Sequence, residues 1–244
     1  VQIELTQDFG TTSFSLLLYG QAGIGKTTFA CRAPKPLVIN LENGLKGIDL
    51  KTLGAFSTNQ LTTYADVLTV FEKSLKSDRF GTLIVDTATR LQDLIIKHIC
   101  EADNKKSLAD FAYGSGYARF AAEAQLLCQW LDSLKAAGKN VILVAHEAIE
   151  TFADPESDAY DRFNCSLDKR IGEKIRAAVD HIWYMHNEKT LRESSSGRNQ
   201  ARLRGRTLVQ TKASGGVVAK TRGNYEQFIE IRNDETDREI WTRL

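Results

Sequence analysis

The sequence predicts an α/β protein: a mostly parallel sheet between helices, extended at its C-terminal end by antiparallel strands. Three observations carry that expectation. Short, mostly apolar runs recur at residues 14–19, 36–41, 82–86 and 141–145, the form of strands buried on both faces. Stretches with apolar residues at helical spacing lie between them. From about residue 187 the pattern changes to short runs separated by Gly215-Gly216 and Gly223-Asn224, which reads as hairpins.

The elements follow in order. Phe14 to Tyr19 is a buried strand, and a glycine-rich loop leads from it into a helix that starts at Thr27 and ends by Pro34. Pro36 to Leu41 is the second strand, with Glu42-Asn43-Gly44 at its tip, and residues 52–57 read as a short third strand. Thr63 opens the next helix, with Asp66 as capping partner and Val67, Leu68, Phe71 and Leu75 on its apolar face. Thr82 to Asp86 is a strand, and a helix from about Ala88 to Ala102 carries Leu91, Leu94, Ile95 and Ile99. Residues 104–116 read as a loop, followed by a long helix that Gly138 stops. Val141 to Ala145 is a further core strand ending in His146, and the acid-rich residues 147–165 read as a long loop. A short helix at 168–178 precedes a strand at 181–185, and antiparallel strands are expected at 202–211, 216–222 and 226–232. Ser194 to Gly197 would be a hairpin tip. The 244 residues suit one domain, with a core over about 12–186 and a basic β extension over about 187–244.

Composition limits the function classes. A formal net charge of +1 excludes a wholly basic nucleic-acid binder, so any such surface must be local. Cys31, Cys100, Cys128 and Cys165 form no C-x-x-C pair, and free thiols fit a reducing compartment. No apolar run is long enough to span a bilayer, and the first residues lack a signal peptide's pattern. The expectation is a cytoplasmic protein without a membrane partner.

Gly20-Gln21-Ala22-Gly23-Ile24-Gly25-Lys26-Thr27-Thr28 fits G-x-x-x-x-G-K-[ST] at every fixed position, between a strand and a helix. The glycines let backbone N–H groups turn inward as an anion nest, and the helix dipole points at the same place. Lys26 would reach the β- and γ-phosphates of ATP, and the Thr27 hydroxyl would ligate Mg²⁺. Asp86, at the end of an aliphatic strand, has the form of a second metal-holding group. Glu42 could polarise a water in line with the γ-phosphate; an exposed loop carboxylate is the plainer alternative. His146 could sense that phosphate, although alone it would read as an ordinary histidine.

These residues carry a resemblance. Leu37 to Leu45 resembles the RecA-family strand that ends in the catalytic glutamate, and His146 falls where such ATPases place a γ-phosphate sensor. Ala219-Lys220-Thr221-Arg222-Gly223 is similar to the K-x-R motif that RadA-, DnaB- and KaiC-like proteins insert into a neighbouring subunit's site. Ala109 to Tyr117 resembles the phage-encoded RecA-like single-strand annealing ATPases of the Sak type, and the likeness spans about residues 12–232. It implies that the sensor strand lies between the phosphate-loop and Asp86 strands. It also implies a homo-oligomeric ring or filament, with Lys220 and Arg222 acting in trans. In that family the loop after the sensor strand binds DNA, yet residues 147–163 here hold six acids against Arg162 alone.

Basic residues collect elsewhere: residues 189–222 contain nine against the single acid Glu193. Arg202, Arg204 and Arg206 alternate, so on a strand they would share one face and form a nucleic-acid contact; a charge-protected edge is the plainer reading. The expected function is a Mg²⁺-dependent ATPase acting on single-stranded DNA, in phage recombination by annealing, with a single-strand-binding protein as a further partner. Two alternatives stay open: a nucleotide-gated scaffold or helicase-loading partner, and a small-molecule kinase.

Overall fold

The computed structural model describes residues 13–193, 199–232 and 234–244. Among them nine strands form one sheet. β1 (Ser15–Gly20) lies near its middle, between β5 (Asn140–Phe152) and β7 (His181–Glu193), both parallel to it. Beyond β5 come β4 (Thr82–Asp86), β2 (Pro36–Asn40) and the two-residue β3 (Phe56–Ser57), again all parallel. On the other side β8 (Asn199–Gln210) and β9 (Phe228–Ile231) continue the sheet antiparallel. The mostly parallel sheet with an antiparallel C-terminal part is the one the residue pattern predicts.

Alternation along β1 explains the layers. Leu17 and Tyr19 face a core built with α3 (Tyr64–Leu75), α4 (Ala88–Ala102), α5 (Ser115–Ala136) and α6 (Lys169–Ala178). Leu16 and Leu18 face the other way, onto Phe29 of α1 (Lys26–Ala30) and Trp241 of α7 (Arg238–Trp241). Both faces are buried, so the strand is apolar throughout. The caps follow the sequence too: the Thr63 hydroxyl accepts the Asp66 N–H at 3.2 Å at the start of α3.

Four expectations change. Residues 50–53 are a helix, α2 (Leu50–Leu53), because the Asp49 carboxylate caps the Thr52 N–H at 3.1 Å. Residues 104–116 contain two 3₁₀ turns, Leu108–Asp110 and Ala112–Gly114, rather than an open loop, and α5 begins at Ser115. Only residues 153–159 of the expected loop at 147–165 are loop: β5 runs on beyond β1 and β4 and pairs antiparallel with β6 (Tyr160–Cys165), from Glu147↔Cys165 to Phe152↔Tyr160. Residues 216–222 make isolated bridges, Phe163↔Val217 and Ile182↔Lys220, instead of a strand, and the segment packs across the end of the sheet. Residues 194–197, the expected hairpin tip, lie outside the described residues.

Candidate functional site

Every parallel strand delivers its C-terminal end to the same edge, and the register aligns them. Gly20 pairs with His146 across β1 and β5, and Asn40 pairs with Asp86 across β2 and β4. A cleft of about 420 Å³ opens there, lined by Ala22, Gly23 and residues 25–28 of the glycine loop, by Glu42, Asp86, Thr87 and His146, and by Gly44 and residues 46–48. Ligands of open α/β sheets bind at this edge.

The loop's glycines are required by geometry. A Cβ on Gly20 would sit 2.1 Å from the Met185 carbonyl oxygen, and Gly25 turns the chain with φ +100°. α1 has only five residues, so an anion held here would depend on the N–H groups of the loop more than on a long helix dipole. Lys26 is buried and donates to the Gly20 and Gln21 carbonyls at 2.8 and 2.6 Å. Burial lowers its pKa, and the nearby Asp86, Glu147 and Glu42 carboxylates oppose that.

The Thr27 hydroxyl donates to Asp86 Oδ2 at 3.1 Å. Burial raises the Asp86 pKa, while the Thr27 hydrogen bond and the Lys26 charge pull it back. One hydroxyl and one carboxylate side by side fit Mg²⁺, which keeps waters and phosphate oxygens for its other positions. Among the described residues no cluster of three or more His, Cys, Asp or Glu offers a cage for another metal.

Glu42 lies at the tip of β2, half-buried. Its Oε1 accepts the Thr87 hydroxyl at 2.6 Å and stands 3.7 Å from His146 Nε2. Thr87 was not singled out by the sequence. It is buried, and its oxygen also accepts the Arg90 N–H at 3.1 Å as the cap of α4. One hydroxyl therefore ties the orientation of Glu42 to the start of a helix. The Thr-plus-helix pattern at 87–90 was a cap signal, but nothing in it pointed to Glu42.

The other predicted residues lie apart. Lys220 and Arg222 sit at the Ser15 end of β1, at the opposite edge from the cleft. Lys220 Nζ donates to the carbonyls of Arg176, Ala177 and Val179 at the end of α6, at 3.0, 3.2 and 2.6 Å. Arg222 pairs with Asp180 at 2.8 Å, and the same carboxylate binds Lys135 at 2.8 Å and the Ser15 N–H at 3.0 Å. Arg206 is exposed but engaged, forked onto Glu188 at 2.8 and 3.1 Å. A bulge with Gly205 at φ +80° separates it from Arg202 and Arg204, whose side chains lie outside the described residues.

A larger cavity, about 650 Å³, lies near the C-terminus among Lys212, Tyr225, Ile229, Ile240 and Arg243. It gathers no comparable set of acids and hydroxyls around a phosphate loop. No described helix is long and apolar enough to cross a membrane.

The sheet, the glycine loop at the end of β1 and the Thr27–Asp86 pair define a P-loop nucleotide-binding ATPase. The family model described as AAA domain matches residues 12–223, and the chain belongs to that family. No curated protein matches it.

Proposed function

We propose that the protein is a RecA-like, Mg²⁺-dependent ATPase of the Sak type that acts on single-stranded DNA and promotes annealing as a homo-oligomer. The sheet order β4-β5-β1 is the observation that supports the RecA-like ATPase part of this reading, because it seats His146 between the phosphate loop and Asp86. Lys26 neutralises the β- and γ-phosphates, and Thr27 and Asp86 hold the metal, which supplies charge stabilisation when bound. Glu42, oriented by Thr87, takes the proton of an attacking water. His146, beside Glu42, reports the γ-phosphate to the β5–β6 arm that continues its own strand.

Lys220 and Arg222 cannot serve the cleft of their own chain, since a strand's length separates them from it. That favours action in trans. Arg222 is the better candidate, with a side chain 65% exposed, whereas Lys220 is engaged at the end of α6. For DNA, Arg202 and Arg204 remain the proposed contacts, and Arg206 contributes less because Glu188 holds it. Lys105 and Lys106 and the fully exposed Tyr113, in a left-handed conformation at φ +54°, add a basic and aromatic surface suited to unpaired bases.

Phosphate release with and without single-stranded DNA, run beside an annealing assay on complementary strands, tests the proposal. Stimulated release together with faster annealing supports it. Release unaffected by DNA, or ATP binding without turnover, would favour the scaffold reading.

A further inference from the structure

We infer that Lys46 is a second phosphate-contacting residue of the cleft, presented to the terminal phosphate by a turn that depends on Gly47. The inference rests on the reading of this cleft as the ATP site. Lys26 reaches the cleft from the glycine loop; Lys46 reaches it from the segment that follows Glu42.

The backbone explains the presentation. Ile48 N–H donates to the Leu45 carbonyl at 3.1 Å, closing a four-residue turn. Lys46 has φ −62° and ψ 123°, and Gly47 has φ +89°, the angles of a type II turn. That turn demands a positive φ at its third residue, which glycine supplies without strain. Leu45 and Ile48, on either side, pack against the same apolar cluster as Ile24 of the phosphate loop. Two apolar anchors thus hold the turn on the core that also seats the phosphate loop, and the residue between them that carries charge is exposed at the cleft.

Charge and position favour a phosphate as its partner. Among the described residues Lys46 makes no ion pair, although Glu42 and Asp86 line the same cleft. A polyphosphate beside two carboxylates needs more than one cation, and Lys26 and Lys46 are the two lysines lining it. The segment also starts at the metal-holding end: a Cβ on Gly44 would lie 3.9 Å from Asp86 Oδ2. Lys46 is therefore assigned to the terminal phosphate.

The test is calorimetric binding of a non-hydrolysable ATP analogue and of ADP, both with Mg²⁺, to wild type, Lys46→Ala, Lys46→Arg, Gly47→Ala and Lys26→Ala. Lys46→Ala should weaken the ATP analogue about tenfold, the scale of one charge-assisted contact, and ADP less. Lys46→Arg should keep most of the affinity. Gly47→Ala should reproduce the loss with the charge still present, because alanine resists the turn. Melting of Lys46→Ala should match wild type, since the side chain is exposed. Equal weakening for both nucleotides, or affinities within twofold of wild type, would overturn the inference. Lys26→Ala separates the two levels of the argument. If it loses the analogue while Lys46→Ala does not, only the role of Lys46 falls; if it binds normally, the ATP-site reading falls as well.

Discussion

Thr87→Val replaces a buried hydroxyl by a methyl group of nearly the same shape, so its effects on fold and on chemistry can be separated. The hydroxyl makes two hydrogen bonds: it donates to Glu42 at 2.6 Å and accepts the Arg90 N–H at 3.1 Å. Losing the cap should cost about 1 kcal/mol, lowering the melting temperature by about 2–4 °C in a chain of this size. Losing the donor to Glu42 leaves the carboxylate free to rotate, and water repairs its solvation because Glu42 is only half-buried. A hydrogen bond to an ionised group is worth about 1.5–3 kcal/mol, so kcat should fall by about 10- to 100-fold if that bond holds Glu42 in its reactive orientation. KM for MgATP should move little. The assay is steady-state phosphate release beside a thermal melt, with Thr87→Ser as the control that keeps the hydroxyl. A valine variant with kcat within twofold of wild type, or a serine variant that falls as far as valine, would refute the orienting role.

Four further outcomes are expected. Burial lowers the His181 pKa to about 4, so the unfolded chain binds the extra proton first as pH falls. Its contribution is therefore full above pH ~6.5 and fades as pH drops toward 4, a loss of about 3 kcal/mol that denaturation of His181→Gln should not show. Arg222→Ala should bind ATP, hydrolyse it poorly and regain activity when co-assembled with Lys26→Ala; co-assembly without recovery would end the trans role. Lys220→Met, by contrast, should lower stability by up to about 2 kcal/mol, because it removes the cation from the end of α6. Replacing Arg202 and Arg204 by Ser should flatten the salt dependence of single-strand binding by about 0.7 log units per lost phosphate contact, and an unchanged slope would place the DNA path elsewhere.

The groups of the cleft were legible because each ends an apolar strand, and parallel strands bring their ends to one edge. Gly20, Glu42, Asp86 and His146 could be named on that ground before any register was known. The features that the sequence hides depend on pairing. The β5–β6 arm carries so many acids that its alternation reads as loop, yet Tyr184 OH donates to Glu147 and Asn164 Nδ2 to Glu150, at 2.9 and 2.6 Å. Residues 216–222 have strand-like composition, but they bridge across two elements at once, which no local pattern encodes. Arg206 reads as a free cation because its partner Glu188 lies just outside the basic stretch and meets it only through the β7–β8 ladder. Lys46, the residue proposed above, is hidden for the opposite reason: its signal is the purely local Leu-Lys-Gly-Ile turn, and only the fold shows that this turn faces the cleft.

The central claim, that the cleft hydrolyses ATP with Glu42 as the group that activates water, is tested most directly by comparing binding and turnover in Glu42→Gln. Glutamine can still accept the Thr87 hydrogen bond, so the geometry of the tip is preserved while the basicity is lost. Binding of a MgATP analogue should match wild type, and single-turnover phosphate release should fall by about 10²- to 10⁴-fold. Release at a near-normal rate from the fully bound variant would contradict the account.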